Sequence, residues 1–334
     1  RTGQSDSYCA LADCCIVSSG FPGFCFHRCH ASHYLDAIVR VLVTGANGFV
    51  GSALTKRLLT AGNEVSAVTR REIGDLNAHT QWGNHLEGVD AIVHLAARVH
   101  VMRNTESNPL PIYRRVNRDG TMQLARSAIA KGIRRFVFIS SIKVNGNRSE
   151  KPLDAASPTN PGDPYGVSKL EAEQELAELS RDLDLVTLRP PLVYGPNVKG
   201  NFIRLIKLVD LGIPLPLASV QNRRSLIGLT NLTDAICWSL KAPTGLYFPS
   251  DKQDQSTADL IRAIARALEK PARLFPIAPQ LLALAGHLTG KSDLTERLLS
   301  TLTSDGLLPG WSPQKSFKSG LHETVRWYKD SKLG

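Results

Sequence analysis

The sequence predicts an α/β fold in which a doubly wound parallel sheet is followed by a smaller, mostly helical C-terminal lobe. Two observations predict the sheet. Short apolar runs typical of buried strands alternate with helical patterns, as in βαβ units, and a glycine-rich turn joins the first run, 39–43, to the first helical pattern, 52–61. The lobe is predicted because residues 255–330 read as helices.

The charge balance limits the kinds of partner. The 334 residues include 40 Lys and Arg against 30 Asp and Glu, a formal net charge of +10. The basic residues lie in scattered pairs such as Arg134-Arg135, without a lysine tract or interleaved aromatic residues, which favours an anionic small molecule over nucleic acid. No apolar run reaches the roughly 18 residues of a membrane span. We therefore expect a cytoplasmic protein without stable membrane insertion.

Residues 1–38 differ from the rest because they hold five of the six cysteines and three closely spaced histidines. They contain no Cys-x-x-Cys pair and no finger-like spacing, so we expect no metal site there. The basic start and apolar centre of a secretory signal are also missing. The chain begins with Arg1 and the first organised element near Val39. One hypothesis is that 1–38 are not native coding sequence and that Val39 marks an alternative start codon. Outside this segment only Cys237 remains, as expected in a reducing cytoplasm.

The glycine turn predicts a dinucleotide site. A strand, a turn containing Gly45, Gly48 and Gly51, and a helix place backbone N–H groups and a helix N-terminus beside a pyrophosphate, as in a Rossmann-type domain. The spacing is Gly-x-x-Gly-x-x-Gly, unlike the usual Gly-x-Gly-x-x-Gly, and a turn with incidental glycines is the alternative. The predicted cofactor contacts of this turn are Gly45, Asn47, Gly48, Phe49, Val50 and Gly51.

The second strand, 64–68, leads to Arg70 and Arg71 where an NAD-specific site would place an acidic residue. Because an arginine can pair with a 2′-phosphate, we expect NADP(H) rather than NAD, although NAD stays possible. A solvated basic turn is the alternative. The interval before Asp75 and Leu76 is too short for a helix plus a third strand, so either this sheet edge is trimmed or the register differs.

The next strand, 91–97, ends in the small residues expected beside a ligand, and His94 within it is expected to be a hydrogen-bonded core histidine. A helix over 112–131 carries Asn117, and a strand over 136–139 ends in Ser140 and Ser141. The predicted ligand-side residues at the C-terminal end of the first of these strands are Leu95, Ala96 and Ala97.

The segment 163–169 predicts the reacting groups. Asp163 suits a helix N-cap and Pro164 the first helical position, so Tyr165 and Lys169 should lie one turn apart on one face. A lysine ammonium near a phenol favours the phenolate, which should lower the tyrosine pKa toward the range of a general acid or base.

Together these motifs resemble the extended short-chain dehydrogenase/reductase family over roughly residues 39–330. The quoted motifs are 44–51, 94–97, Asn117 with Gly120, 140–141, Tyr165 with Lys169, and 189–196. More narrowly, the runs 94–103 and 141–146 and the Gly310-Trp311 pair look like nucleotide-sugar 4-epimerases and 4-ketoreductases of bacterial surface-polysaccharide synthesis.

The resemblance implies a role for each matched residue. Ser141, with Ser140 as its neighbouring candidate, would bind the reacting sugar oxygen, Tyr165 would be the acid/base, and Lys169 would hold the nicotinamide ribose. Asn117 would support the active-site strand, or be an ordinary helix-face amide. Further implied cofactor contacts are Asp75, Leu76 and Pro190; implied substrate contacts are Lys143, Asn201 with Phe202, Arg224 and Arg297.

The resemblance also narrows the reaction. Nucleotide-sugar 4,6-dehydratases carry an aspartate and a glutamate directly after the serine or threonine, where this chain has Ile142 and Lys143. The preferred expectation is a homodimeric 4-ketoreductase that reduces a UDP-4-keto-6-deoxy-N-acetylhexosamine with NADPH; the alternative is a UDP-hexose or UDP-N-acetylhexosamine 4-epimerase with tightly bound NAD. A cofactor-binding relative without turnover is a third. The expected parts are residues 1–38, a cofactor domain 39–190 and a substrate lobe 191–334 whose elements return to the core.

Overall fold

The computed structural model describes residues 39–99, 108–290 and 292–333. The expectations for residues 1–38 and for 100–103 lie outside the described residues. The strands are β1 Arg40–Thr44, β2 Glu64–Val68, β3 Ala91–His94, β4 Arg135–Ile139, β5 Asp184–Leu188, β6 Leu192–Tyr194, β7 Leu226–Gly228 and β8 Gly245–Tyr247. The α-helices are α1 Phe49–Thr60, α2 Arg70–Ile73, α3 Leu110–Arg114, α4 Gly120–Ala130, α5 Pro164–Glu178, α6 Asn201–Asp210, α7 Leu229–Ser239, α8 Thr257–Leu268, α9 Pro279–Leu288, α10 Ser292–Leu299 and α11 Phe317–Leu333.

The central sheet is parallel throughout, with strand order β2-β1-β3-β4-β5-β8. The order reverses between β1 and β3, which is the switch point where open α/β sheets bind ligands. In this sheet β2 is an edge strand. Of the two alternatives left open for the short interval after β2, a trimmed sheet edge or a different register, the trimmed edge is therefore correct. The predicted α/β doubly wound fold is confirmed.

Both faces of the sheet are covered, which explains the continuous apolar runs in its strands. Along β1, Leu42 packs into one core cluster, and its neighbours Val41 and Val43 pack into the cluster on the other face. All three are fully buried. A strand buried on both faces lacks the polar alternation that would mark an exposed face.

Several element boundaries differ from the prediction. Helix α1 begins at Phe49, three residues before Ser52, because the glycine turn feeds directly into it. Strand β3 ends at His94 rather than at residue 97, since the N–H groups of Leu95 and Ala96 donate to the Thr44 side chain instead of a ladder partner. The predicted helix 112–131 is divided into α3, a π-helical turn over Arg115–Asp119, and α4.

The C-terminal part is mostly helical and has its own apolar core, in which α6, α8 and α11 pack together. Two of its elements contact the sheet or a helix that covers it: β8 pairs with β5, and α7 packs on α1. Among the described helices, none is long and apolar enough to cross a membrane.

Candidate active site

The predicted site residues follow the carboxyl ends of neighbouring strands. Because all strands of the sheet are parallel, the segments after β1, β2, β3, β4 and β5 meet at one edge. These segments begin at Gly45, Thr69, Leu95, Ser140 and Arg189. The fold therefore brings together groups that lie up to about half the chain apart in sequence.

The glycine turn after β1 forms a tight cradle. Gly45 has φ +67°, and a Cβ on it would lie 3.0 Å from the amide nitrogen of Ala96. A Cβ on Gly51 would lie 2.1 Å from the carbonyl oxygen of Gly45. Gly48 precedes α1, whose first turn carries no acidic residue and no side-chain cap, so its backbone N–H groups suit an anion. These observations fit the pyrophosphate of a dinucleotide, and Asn47, Phe49 and Val50 lie in the same turn.

The segment after β2 bears on the choice of cofactor. Arg70 and Arg71 are exposed at the start of α2, where Arg70 pairs with Asp75 (Nε–Oδ1 3.1 Å). The nearby acid, Glu72, accepts from the Thr69 backbone at 2.8 Å and completes the helix cap. Leu76 is 6% exposed and packs against Gly120. The guanidinium groups of Arg70 and Arg71 thus lie just after the end of β2. The preference for NADP(H) remains a prediction.

His94 is a core residue, as expected. Its Nδ1 bonds the Thr44 hydroxyl (2.7 Å) and its Nε2 bonds the Thr121 hydroxyl (2.9 Å). The Thr121 hydroxyl donates to the Asn117 carbonyl, so it accepts from the histidine, which places the proton on Nε2. Burial, with the charge of Lys169 as a smaller cause, lowers the pKa of His94 to about 3. The ring therefore stays neutral.

Asn117 ties the segment after β3 to helix α5. Its Oδ1 accepts from the Arg98 backbone N–H (2.7 Å), and its Nδ2 donates to the Arg98 carbonyl (3.0 Å) and to the Ser168 hydroxyl (2.9 Å). Asn117 is fully buried in the π-helical turn, a feature frequent at functional sites. The alternative of an ordinary helix-face amide is therefore wrong. Asn117 holds the segment after β3 and also contacts α5.

Ser141 lies close enough to Tyr165 for its hydroxyl to lower the pKa of the phenol as a hydrogen-bond partner. Ser141 also caps a 3₁₀ turn over Ile142–Asn145 by accepting from the Lys143 backbone (3.3 Å). Ser140 is buried, and within the described residues its hydroxyl has no hydrogen-bond partner. Ser141 is thus the serine paired with the phenol.

The expected lowering of the tyrosine pKa is wrong for this structure. Burial raises the pKa of the Tyr165 phenol above its ordinary value, and the negative charge of Asp163 raises it further, while the Ser141 hydrogen bond acts against both. Lys169 instead donates to the Ile139 carbonyl (2.7 Å) and lies 4.2 Å from the Phe138 ring centroid. The phenol is consequently held in its protonated form.

Lys169 is 1% exposed, and burial lowers its pKa to about 7, with the charge of Glu173 opposing. Glu173 lies one turn further along α5 and forms a buried ion pair with Arg189, whose Nη1 also donates to Asn145 Oδ1 (3.0 Å). This pair joins α5 to the end of β5. Pro190, the next residue, accepts from the Ile142 backbone (3.1 Å) and closes the serine segment onto β5.

The predicted substrate residues form three groups, which are Lys143, Arg224 with Arg297, and Asn201 with Phe202. Lys143 pairs with Asp163 (Nζ–Oδ2 2.5 Å) and with Asn147 (3.2 Å). Arg224 donates to the carbonyl groups of Arg297 (3.0 Å) and Ser300 (3.2 Å).

Burial, followed by the nearby Arg297 charge, lowers the pKa of Arg224. Two mutually repelling guanidinium groups of this kind suit an anion such as a diphosphate. Asn201 is exposed at the start of α6, but Phe202 is 2% exposed and stacks on Tyr194. The substrate contact expected of Phe202 is therefore wrong, because its ring belongs to the lobe core.

Sequence reasoning missed three contributors. The Thr44 hydroxyl at the end of β1 accepts from the backbone N–H of Leu95, just after β3. Tyr113 packs edge-on against Tyr165 (ring centroids 6.5 Å apart), and Glu173 pairs with Arg189. A threonine at a strand end and a glutamate on a helix carry no signal by themselves. The glutamate four residues after Lys169 is the one detectable hint, since it shares the lysine's helix face.

Comparison with known proteins agrees with this geometry. The sequence model of the NAD dependent epimerase/dehydratase family matches residues 41–247, which is more than half of the chain. The chain belongs to this family. The resemblance to extended short-chain dehydrogenases/reductases is thereby confirmed.

Among curated relatives in the family, a UDP-glucose 4-epimerase of Vibrio cholerae is 41% identical over 311 residues, covering 86% of this chain and 94% of its own. The solved structure of MoeE5 in complex with UDP-glucose and NAD is 25% identical, with a TM-score of 0.70, and covers 88% of this chain and 99% of its own. The solved structure of RMD from Pseudomonas aeruginosa complexed with NADPH shares the fold, with 22% identity, a TM-score of 0.68, and coverage of 87% of this chain and 99% of its own.

Proposed function

We propose that this chain is a 4-epimerase of a UDP-sugar that uses tightly bound NAD, with Ser141, Tyr165 and Lys169 as its reacting constellation. The single observation that carries the proposal is the hydrogen-bonded Ser141–Tyr165 pair beside buried Lys169, at the sheet edge that also holds the glycine cradle. The 41% identity to a UDP-glucose 4-epimerase supports this choice over the ketoreductase that the sequence alone favoured.

The chain's residues divide the work as follows. Gly45, Gly48 and Gly51 would let a pyrophosphate approach the turn closely, and the uncapped backbone N–H groups at the start of α1 would hold it. Lys169 on α5 would hold the nicotinamide ribose. A bound nicotinamide would supply the hydride chemistry at C4. Tyr165 exchanges the proton of the C4 oxygen, and Ser141 orients that oxygen by sharing its hydrogen bond with the phenol.

The raised pKa of Tyr165 favours one direction of proton transfer between the phenol and the C4 oxygen. A protonated phenol is ready to donate a proton to a C4 ketone, which is the reducing half of the cycle. In the oxidising half the same oxygen has to accept a proton, and positive charge near the phenol favours that form. Lys169 is the chain's own source of such charge, one turn away.

Arg224 and Arg297 are the proposed diphosphate contacts. Their guanidinium groups are close enough for the Arg297 charge to lower the pKa of Arg224, and an anion between them would relieve that repulsion. Lys143 and Asn201 remain proposed substrate contacts. The pattern of cationic groups fits a nucleoside diphosphate better than an uncharged sugar.

A second candidate is the UDP-4-keto-6-deoxy-N-acetylhexosamine 4-ketoreductase. Exposed Arg70 and Arg71 at the end of β2 favour it, since they suit a 2′-phosphate and so NADPH. Both candidates use the same serine, tyrosine and lysine. They differ in whether cofactor is consumed.

One experiment separates the candidates. Protein is incubated with UDP-glucose and with UDP-N-acetylglucosamine, and the products are analysed by NMR for the C4 epimer; a parallel sample receives NADPH and the 4-keto sugar. Epimer without net change in nicotinamide absorbance supports the epimerase. Stoichiometric loss of NADPH, without epimer in the other samples, would replace it by the reductase.

A further inference from the structure

Lys143 lies two residues after Ser141, and its ammonium is directed at the start of the helix that carries Tyr165. Its Nζ lies 2.5 Å from Asp163 Oδ2, and both side chains are mostly buried, with 21% and 15% of their surface exposed. The pair therefore joins the serine segment to the start of α5.

The two oxygens of Asp163 serve different partners. Oδ1 accepts from the Gly166 backbone (2.8 Å) and caps α5, while Oδ2 faces Lys143 and lies 3.9 Å from Arg297 Nη2. A Cβ on Gly166 would lie 2.9 Å from the Lys143 carbonyl oxygen, so the backbones of the two segments are also in direct contact. The ion pair fixes segments that already touch.

The carboxylate has an electrostatic effect on the site as well. The negative charge of Asp163 stands two residues before Tyr165 and disfavours the phenolate. Lys143 places a positive charge on the same carboxylate and so weakens that effect. Charged and titratable groups around Tyr165 and Asp163 come from several elements: Lys169 on α5, Tyr113 on α3, Arg98 after β3, Lys143 and, on α10, Glu296 and Arg297.

We propose that Lys143 and Asp163 are a positioning pair, which holds Ser141 against Tyr165 and sets the charge beside the phenol. The inference rests on the proposed function, because it assigns these residues a part in proton exchange at the C4 oxygen. Neither residue exchanges that proton itself. The position that carries an acid in the dehydratases thus holds a cation here, matched to the carboxylate at the helix start.

The test uses the charge of each partner separately. Asp163→Asn keeps a helix-capping oxygen and removes the charge, whereas Lys143→Met removes the counter-charge and keeps the carboxylate. We expect the tyrosine-dependent limb of the kcat/KM pH profile to move by about half a unit to one unit to lower pH in Asp163→Asn and to higher pH in Lys143→Met. The double variant should return near the wild-type limb, and Lys151→Met, which removes the charge of an exposed lysine eight residues after Lys143, should leave it unchanged.

The direction of each shift is independent of whether the enzyme is an epimerase or a reductase, because the limb follows the same phenol. A merely structural pair would lower turnover in both variants without opposite shifts, and that result would overturn the inference. Thermal unfolding monitored by circular dichroism identifies a variant that fails to fold.

A readout without substrate keeps the inference separate from the proposed function. Protein labelled with ¹³C at tyrosine Cζ is titrated by NMR, and Tyr165→Phe assigns the signal. The Tyr165 signal should move toward the phenolate position at lower pH in Asp163→Asn than in wild type. Identical Tyr165 titrations in wild type and Asp163→Asn would contradict the proposed positioning pair. If the titrations differ as expected but wild type is inactive on every UDP-sugar, only the proposed function is contradicted.

Discussion

Replacing Gly51 by alanine should disrupt the cofactor cradle by a steric route that can be sized from the structure. The added Cβ would lie 2.1 Å from the Gly45 carbonyl oxygen and 2.9 Å from the Gly45 carbonyl carbon, all in backbone. A carbon–oxygen contact needs about 3.3 Å, so α1 has to move away from the glycine turn by roughly 1 Å. Such overpacking typically costs about 1–3 kcal/mol of the free energy of unfolding.

The same movement withdraws backbone N–H groups from a pyrophosphate. Losing one hydrogen bond to a charged group costs about 1.5–3 kcal/mol, or roughly a 10- to 100-fold rise in Kd. Isothermal titration calorimetry with NAD and with NADP should show this rise. Gly83→Ala is the matched control, because a Cβ there meets nothing within 4 Å. Binding by Gly51→Ala that equals the control would refute the proposed cradle.

Two further substitutions test the buried charges. Arg189→Met should lower the free energy of unfolding in urea by about 3–5 kcal/mol, because it leaves buried Glu173 uncompensated; Arg134→Met, which breaks an exposed pair with Asp184, should cost less than about 1 kcal/mol, and equal losses would contradict burial of the first pair. For Lys169 the folded-state pKa of about 7 lies below the ordinary value, so the unfolded chain binds the extra proton above pH 7 and stability rises with pH there. In cofactor-free protein, the free energy of unfolding of wild type should therefore rise by about 2 kcal/mol relative to that of Lys169→Met between pH 7 and pH 9. A difference between the two proteins that stays constant with pH would show that the lysine is not buried as described.

The order of elements was predictable because each signal is local. The strand, glycine turn and helix at 40–60 follow from apolar runs and three glycines, and the start of α5 follows from Asp163 and Pro164. The grouping of Ser141 with Tyr165 followed from the family resemblance. Parallel strand order then explains why these segments meet.

What the sequence could not supply depends on tertiary packing. The lysine spacing suggested a lowered phenol pKa, but the raised value comes from burial and from Asp163. Phe202 looked like a substrate contact from its place after Gly200, yet its ring is buried against Tyr194. Burial of a single side chain is set by which helices pack over it, and no local pattern reports that.

The central claim is hydride transfer at C4 with Tyr165 exchanging the proton, and an isotope experiment tests it most directly. UDP-glucose carrying deuterium at C4, and the corresponding UDP-N-acetylglucosamine, are incubated with the protein in ordinary water, and the C4 epimer is isolated. The account predicts that wild type retains the deuterium at C4 and that Tyr165→Phe forms the epimer at least about 100-fold more slowly. Loss of the deuterium to solvent, or an undiminished rate in Tyr165→Phe, would contradict it.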